Sequence, residues 1–114
     1  MKGKRAVEAL AALAHDYRLE IYRLLVRQGP EGLPAGAVGE KIGLVPSSLT
    51  FHLQGLLRAG LIKRVRAGRQ LFYSADFNVM TDLVGYLTDE CCVESASCTP
   101  ACEPARRGRK SKAA

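Results

Sequence analysis

Four cysteines, Cys91, Cys92, Cys98 and Cys102, crowd into one stretch near the end of a 114-residue chain. Structural disulfides usually join distant parts of a fold. Clustered thiols with no export signal ahead of them suit metal binding or redox chemistry instead. Thiolates are soft donors that select soft ions over oxygen-loving ones. Three of them suit trivalent arsenic or antimony, which take thiolates in a pyramid. Four suit a tetrahedral zinc, cadmium or lead ion, although the tandem Cys91-Cys92 pair departs from the usual spaced zinc knuckle. A close thiol pair also suits a redox switch. The sequence shows no nucleophile–base pair, no glycine-rich phosphate loop and no Cys-x-x-Cys ahead of a helix, so no enzyme is expected.

A second set of residues carries a different chemistry. Ser47, Ser48, Thr50, His52 and Gln54 are small or planar hydrogen-bonding groups within one stretch. Leu49, Leu53, Leu56 and Leu57 interleave with them at helical spacing and form an apolar stripe. A helix that buries one face, offers donors on the other and has cations nearby is what the DNA major groove accepts. The cations follow directly: Arg58, Lys63, Arg64, Arg66 and Arg69, with no acid between 58 and 69. Ser47, Ser48, Thr50, His52 and Gln54 are therefore expected at base edges or phosphates, and Arg66 and Arg69 at the backbone or a minor groove. The net charge of +6 supports this less than its placement does. Arg106, Arg107, Arg109, Lys110 and Lys112 carry most of the excess, so the body is near neutral and the patch at 58–69 is local.

These groups need elements to position them. Residues 4–14 read as a short amphipathic helix with Val7, Leu10, Ala11 and Leu13 on its apolar face. Asp16 is a candidate cap for a second helix, which Gly29-Pro30 stops. A loop and a short helix over 34–42 follow. The next helix begins at Pro46, whose missing N–H costs little in a first turn, and ends near Gly60. Residues 61–65 and 71–73 read as two short strands joined by a tip at Gly68. From Asp76, the apolar period Phe77, Met80, Leu83, Val84 and Leu87 predicts a last helix to about 90. The fold class is thus mainly α: five helices and a two-stranded β-wing, a winged helix-turn-helix. Residues 1–92 are expected to form the DNA-binding domain, and 93–114 a cysteine-containing flexible tail with a basic end. No run approaches the roughly 20 apolar residues of a membrane span, and no signal-peptide core follows the first residues, so a cytoplasmic location is expected.

The residues carry a resemblance as a set. Ser47-Ser48-Leu49-Thr50-Phe51-His52-Leu53 followed by Leu56-Leu57-Arg58-Ala59-Gly60-Leu61-Ile62 resembles the ArsR/SmtB signature of Ser-x-His-His-Leu leading into Leu-x-x-Ala-Gly-Leu-Val. Thr50 stands for its Ser and Phe51 for its first His. Leu13-Ala14-His15-Asp16-Tyr17-Arg18-Leu19-Glu20-Ile21 resembles the family's Leu-x-x-Pro-x-Arg-Leu-x-Ile, with His15 and Asp16 in place of a small residue and Pro. Gly68-Arg69-Gln70-Leu71-Phe72-Tyr73 resembles its Gly-Arg-x-x-x-Tyr wing. The resemblance spans about residues 5–90. It implies a homodimer paired through the first and last helices, which binds double-stranded operator DNA and releases it when an inducer binds. The family's Cys-Val-Cys box is absent at Ala37-Val38-Gly39-Glu40, and 76–92 holds no His for its zinc site. The Cys91-Cys92-x5-Cys98 run resembles that of arsenic-responsive members with C-terminal sites. That resemblance implies Cys91, Cys92 and Cys98 as ligands of As(III) or Sb(III), with Cys102 as an alternate, and no organic cofactor.

Overall fold

The computed structural model describes residues 1–95. Cys98, Cys102 and the basic tail lie outside the described residues. The chain order is α1 (Gly3–Leu13), α2 (Asp16–Gln28), β1 (Leu33–Pro34), α3 (Ala35–Ile42), α4 (Pro46–Arg58), β2 (Ile62–Ala67), β3 (Gln70–Ala75) and α5 (Phe77–Thr88). This is the expected winged helix-turn-helix with five helices, plus one strand that the sequence did not announce. β1 is two residues long and contains a proline, so it carries neither alternation nor a full ladder. It pairs antiparallel with β3, Leu33 opposite Tyr73 and Pro34 opposite Phe72, giving the sheet order β1-β3-β2. Gly32, just before it, has φ +73°, and a Cβ there would stand 2.4 Å from the Tyr73 carbonyl oxygen. Only glycine allows the loop that close to β3.

The wing is longer than the sequence suggested. β2 and β3 pair from Ile62–Ala75 out to Ala67–Gln70, leaving Gly68 and Arg69 as a two-residue turn. Gly68 has φ +66°, which suits a glycine at the first turn position. Residues 63–70 are exposed, so the cations of this segment stand in solvent.

α4 carries its boundaries in its sequence. Pro46 sits in its first turn. At the other end the Leu61 N–H bonds to the Leu56 carbonyl and the Gly60 N–H to that of Leu57, with Gly60 at φ +78°, the Schellman arrangement. Leu49, Leu53 and Leu56 are at most 4% exposed and join Ile21, Leu25, Val38, Leu61 and Leu83 in one core. α2 and α5 differ from expectation at their ends. The cap of α2 is His15, whose Nδ1 accepts the Tyr17 N–H, and Asp16 is the first helical residue. Asp76 caps α5 as expected, accepting from the Val79 N–H, but the helix closes at Thr88, short of 90.

α1 turns the other way round from its expected face. It buries Ala6, Ala9 and Ala12 and leaves Val7 65% and Leu10 41% exposed. Three alanines at three-residue spacing let its backbone lie close to α2, α4 and α5. α5 buries only Leu83. Phe77, Val84 and Leu87, at helical spacing, are exposed along its length, with Met80 half-buried between them.

Candidate nucleic-acid interface and thiol site

α3, a three-residue turn and α4 form the helix-turn-helix, and the wing follows at once. α4 has two distinct faces. Ser47, Thr50, Phe51, Gln54 and Arg58 recur at three- and four-residue spacing and are all exposed. Ser48 is half-buried at the edge of this face. Ser47, Thr50 and Gln54, expected as DNA contacts, are therefore brought together on one surface, and Arg66 and Arg69 stand exposed on the wing.

His52 is placed elsewhere. It is 7% exposed and lies with the leucines rather than with the donors. It follows Leu49 by three residues and precedes Leu56 by four, so helical phase alone turns it inward. Its Nδ1 accepts a hydrogen bond from Arg18 Nε at 3.3 Å. The His15 ring lies 4.5 Å away between centroids, and the Tyr17 ring 5.9 Å. Burial, then the neighbouring His15 and Arg18, hold the His52 pKa below the ordinary histidine value. Its role here is to join α4 to α2 as a neutral acceptor, not to face DNA. Phe51 and Arg58, in contrast, belong to the outward face but were not among the expected contacts. Their phase with Ser47 and Gln54 was the available signal.

Two arginines seat α4 against its neighbours. Arg18 of α2 lies where a Cβ on Gly55 would meet its guanidinium at 2.5–2.7 Å. Arg5 of α1 donates from Nη1 to the Ala59 carbonyl at 2.5 Å and covers Gly60 in the same way. A cation at this end also complements the helix dipole.

Beyond α5 the chain makes successive tight turns. The N–H groups of Cys91, Val93 and Ser95 bond to the carbonyls of Thr88, Glu90 and Cys92. Glu90 and Cys92 have φ of 62° and 63°, a left-handed conformation uncommon outside glycine. This winding brings the two adjacent thiols together, Sγ to Sγ at 3.5 Å. That is too long for a disulfide, about 2.05 Å. It is close to the roughly 3.8 Å between thiolates that share one tetrahedral ion at about 2.3 Å each. Among the described residues no group of three or more His, Cys, Asp or Glu gathers around one point. The expected further ligands, Cys98 and Cys102, lie outside the described residues. No helix among the described residues is long and apolar enough to cross a membrane.

The fold and its exposed helix define a winged helix-turn-helix regulator. A helix-turn-helix domain model matches residues 13–65. The chain is 30% identical to NolR of Sinorhizobium fredii, whose crystal structure it matches with a TM-score of 0.61 over 77% of this chain and 85% of that one. It is 25% identical to a homodimeric winged helix-turn-helix DNA-binding domain from Mycobacterium bovis, described as a possible ArsR-family transcriptional regulator (TM-score 0.61, 84% of this chain and 89% of that one). Nodulation protein NolR of Rhizobium meliloti is 32% identical over 80 residues, 70% of this chain, which spans 63% of that protein's length. The chain belongs to the ArsR-like family of winged-helix transcriptional regulators.

Proposed function

We propose that this chain is a homodimeric repressor that binds operator DNA through α4 and the wing. Its inducer is trivalent arsenic or antimony, held by Cys91, Cys92 and Cys98. The carrying observation is the 3.5 Å thiol pair placed just past the helix whose apolar stripe is uncovered. The exposed stripes of α1 and α5 support a twofold pairing through these helices, as does the homodimeric relative from Mycobacterium bovis. A twofold dimer places its two α4 helices about one DNA turn apart. Cys91, Cys92 and Cys98 would supply the three thiolates, and their protons would leave with the three hydroxyl groups of arsenite as water. Drawing Cys98 toward Cys91 and Cys92 reshapes the end of α5, and with it the pairing of the two copies. A coupling of about 1–3 kcal/mol suffices to lower DNA affinity roughly 5- to 150-fold.

Fluorescence anisotropy of the reduced protein on its own upstream DNA tests this, with arsenite and zinc titrated separately. Release by arsenite, lost in Cys91→Ser and Cys92→Ser proteins that still bind DNA, is the expected result. Release only by zinc or cadmium would assign the thiols to a four-cysteine tetrahedral site. The close approach of the two sulfurs also favours a second reading, a redox switch. That reading predicts release by a mild oxidant and recovery with dithiothreitol, without any metalloid.

A further inference from the structure

We infer that Phe51 is a specificity residue that reads the 5-methyl group of thymine in each half-site. The inference rests on the operator-binding reading above and deepens it. Phe51 stands in the middle of the outward face of α4 and is 65% exposed, while the leucines of the same helix are at most 4% exposed or partly covered. Its neighbours on that face are Ser47, Thr50, Gln54 and Arg58, every one a hydrogen-bonding group. A lone exposed apolar residue is ordinary on a protein surface; what distinguishes this ring is its place among hydrogen-bonding groups and the way it is held.

The ring is also held. The Arg18 guanidinium lies 5.3 Å from its centroid, within cation–π range, and the same arginine is tied to His52. The His52 ring meets Phe51 edge-on at 5.4 Å and 65°. One side of the phenyl is thus braced from α2 and from its own helix, and the remainder is presented outward. A pre-oriented apolar group among donors matches the edge of a base pair in the major groove. The one apolar group that base edges offer there is the thymine methyl. Gln54, three residues on, has the shape that pairs with adenine N6 and N7, so the same face can take the partner base of a neighbouring A·T pair.

The test removes the methyl and nothing else. Duplexes that bind the full-length protein are selected from a random pool. Each thymine of the winner is then replaced singly by deoxyuridine, which keeps every hydrogen-bonding group. Wild-type protein is expected to lose about fourfold in affinity at one thymine per half-site, the scale of one buried methyl. Phe51→Ala protein should bind more weakly and lose that discrimination, while Phe51→Leu keeps part of it. Circular dichroism and sedimentation of Phe51→Ala should match wild type, because the side chain is exposed. Indifference of the wild type to every replacement, or unchanged discrimination in Phe51→Ala, overturns the inference. A change of oligomeric state in Phe51→Ala overturns it too, by assigning the ring to a protein contact. If no duplex is enriched at all, the operator-binding reading itself fails.

Discussion

α4 and α5 are nearly equal in length, yet they are settled in opposite ways. α4 buries Leu49, His52, Leu53 and Leu56 within its own chain and is held by arginines from α1 and α2. α5 buries Leu83 alone and leaves Phe77, Val84 and Leu87 in solvent. The reading helix is thus completed by the monomer. The helix that leads to the thiols is left to be completed by something else, which under the proposed function is a second copy. Under that proposal the division suits a sensor, because the element most easily displaced is the one whose packing depends on assembly.

Substitutions on the two helices should separate accordingly. Leu56→Ala, which empties a fully buried site, should cost about 2–5 kcal/mol in chemical denaturation, at every protein concentration. Leu87→Asp should instead leave the isolated fold intact. It should weaken the dimer tenfold or more in sedimentation equilibrium, losing roughly 1.5–3 kcal/mol of apolar burial per copy. A stable dimer in that variant would break the comparison.

The histidine junction sharpens the α4 side. The fold favours neutral His52, so its contribution to stability is complete above the ordinary histidine value of about 6.5. It is lost as pH falls from there toward the lowered folded value, because the unfolded chain then binds the proton more readily. Titratable and charged groups facing it are His15 and Arg18, with the Tyr17 ring beside them. His52→Gln keeps an acceptor for Arg18 but removes the titration. Thermal melts of that variant should lack the downward step expected of wild type just below pH 6.5. The smallest effect on folding belongs to the thiols. Cys91→Ser, half-exposed past the end of α5, should change stability by less than about 0.5 kcal/mol, while abolishing release of DNA by arsenite.

Much of this was legible in the sequence where a residue's conformational restriction marks a boundary. Pro46 and Gly60 fixed the ends of α4, Asp76 the start of α5, and Gly68 the wing turn. The misreadings share a cause, which is that tertiary contact outranked residue type. Val7 and Leu10 were open to either a core or an interface, and close helix approach gave the core side to the smaller Ala6, Ala9 and Ala12. His52 was grouped with Ser47, Thr50 and Gln54 by polarity, whereas its helical phase placed it with the leucines. β1 left no trace, because its pairing is contributed by β3. Of the thiol site, the Cys91-Cys92 pairing depends on left-handed backbone at Glu90 and Cys92, which these residue types do not advertise.

The bare Cα atoms of Gly55 and Gly60 are parking places for guanidinium groups from two other helices. Vacancy at these positions is what lets α1 and α2 grip the reading helix at its middle and its end. A single added carbon at either one would evict an arginine without introducing charge, polarity or bulk that composition would flag. At Gly55 the flexible guanidinium tip can move aside, whereas at Gly60 a φ of +78° adds backbone strain to the lost arginine contact. Under the proposed function, one methyl group at Gly60 would disturb the Arg5 contact at the end of the DNA-binding helix while core and thiols stayed intact.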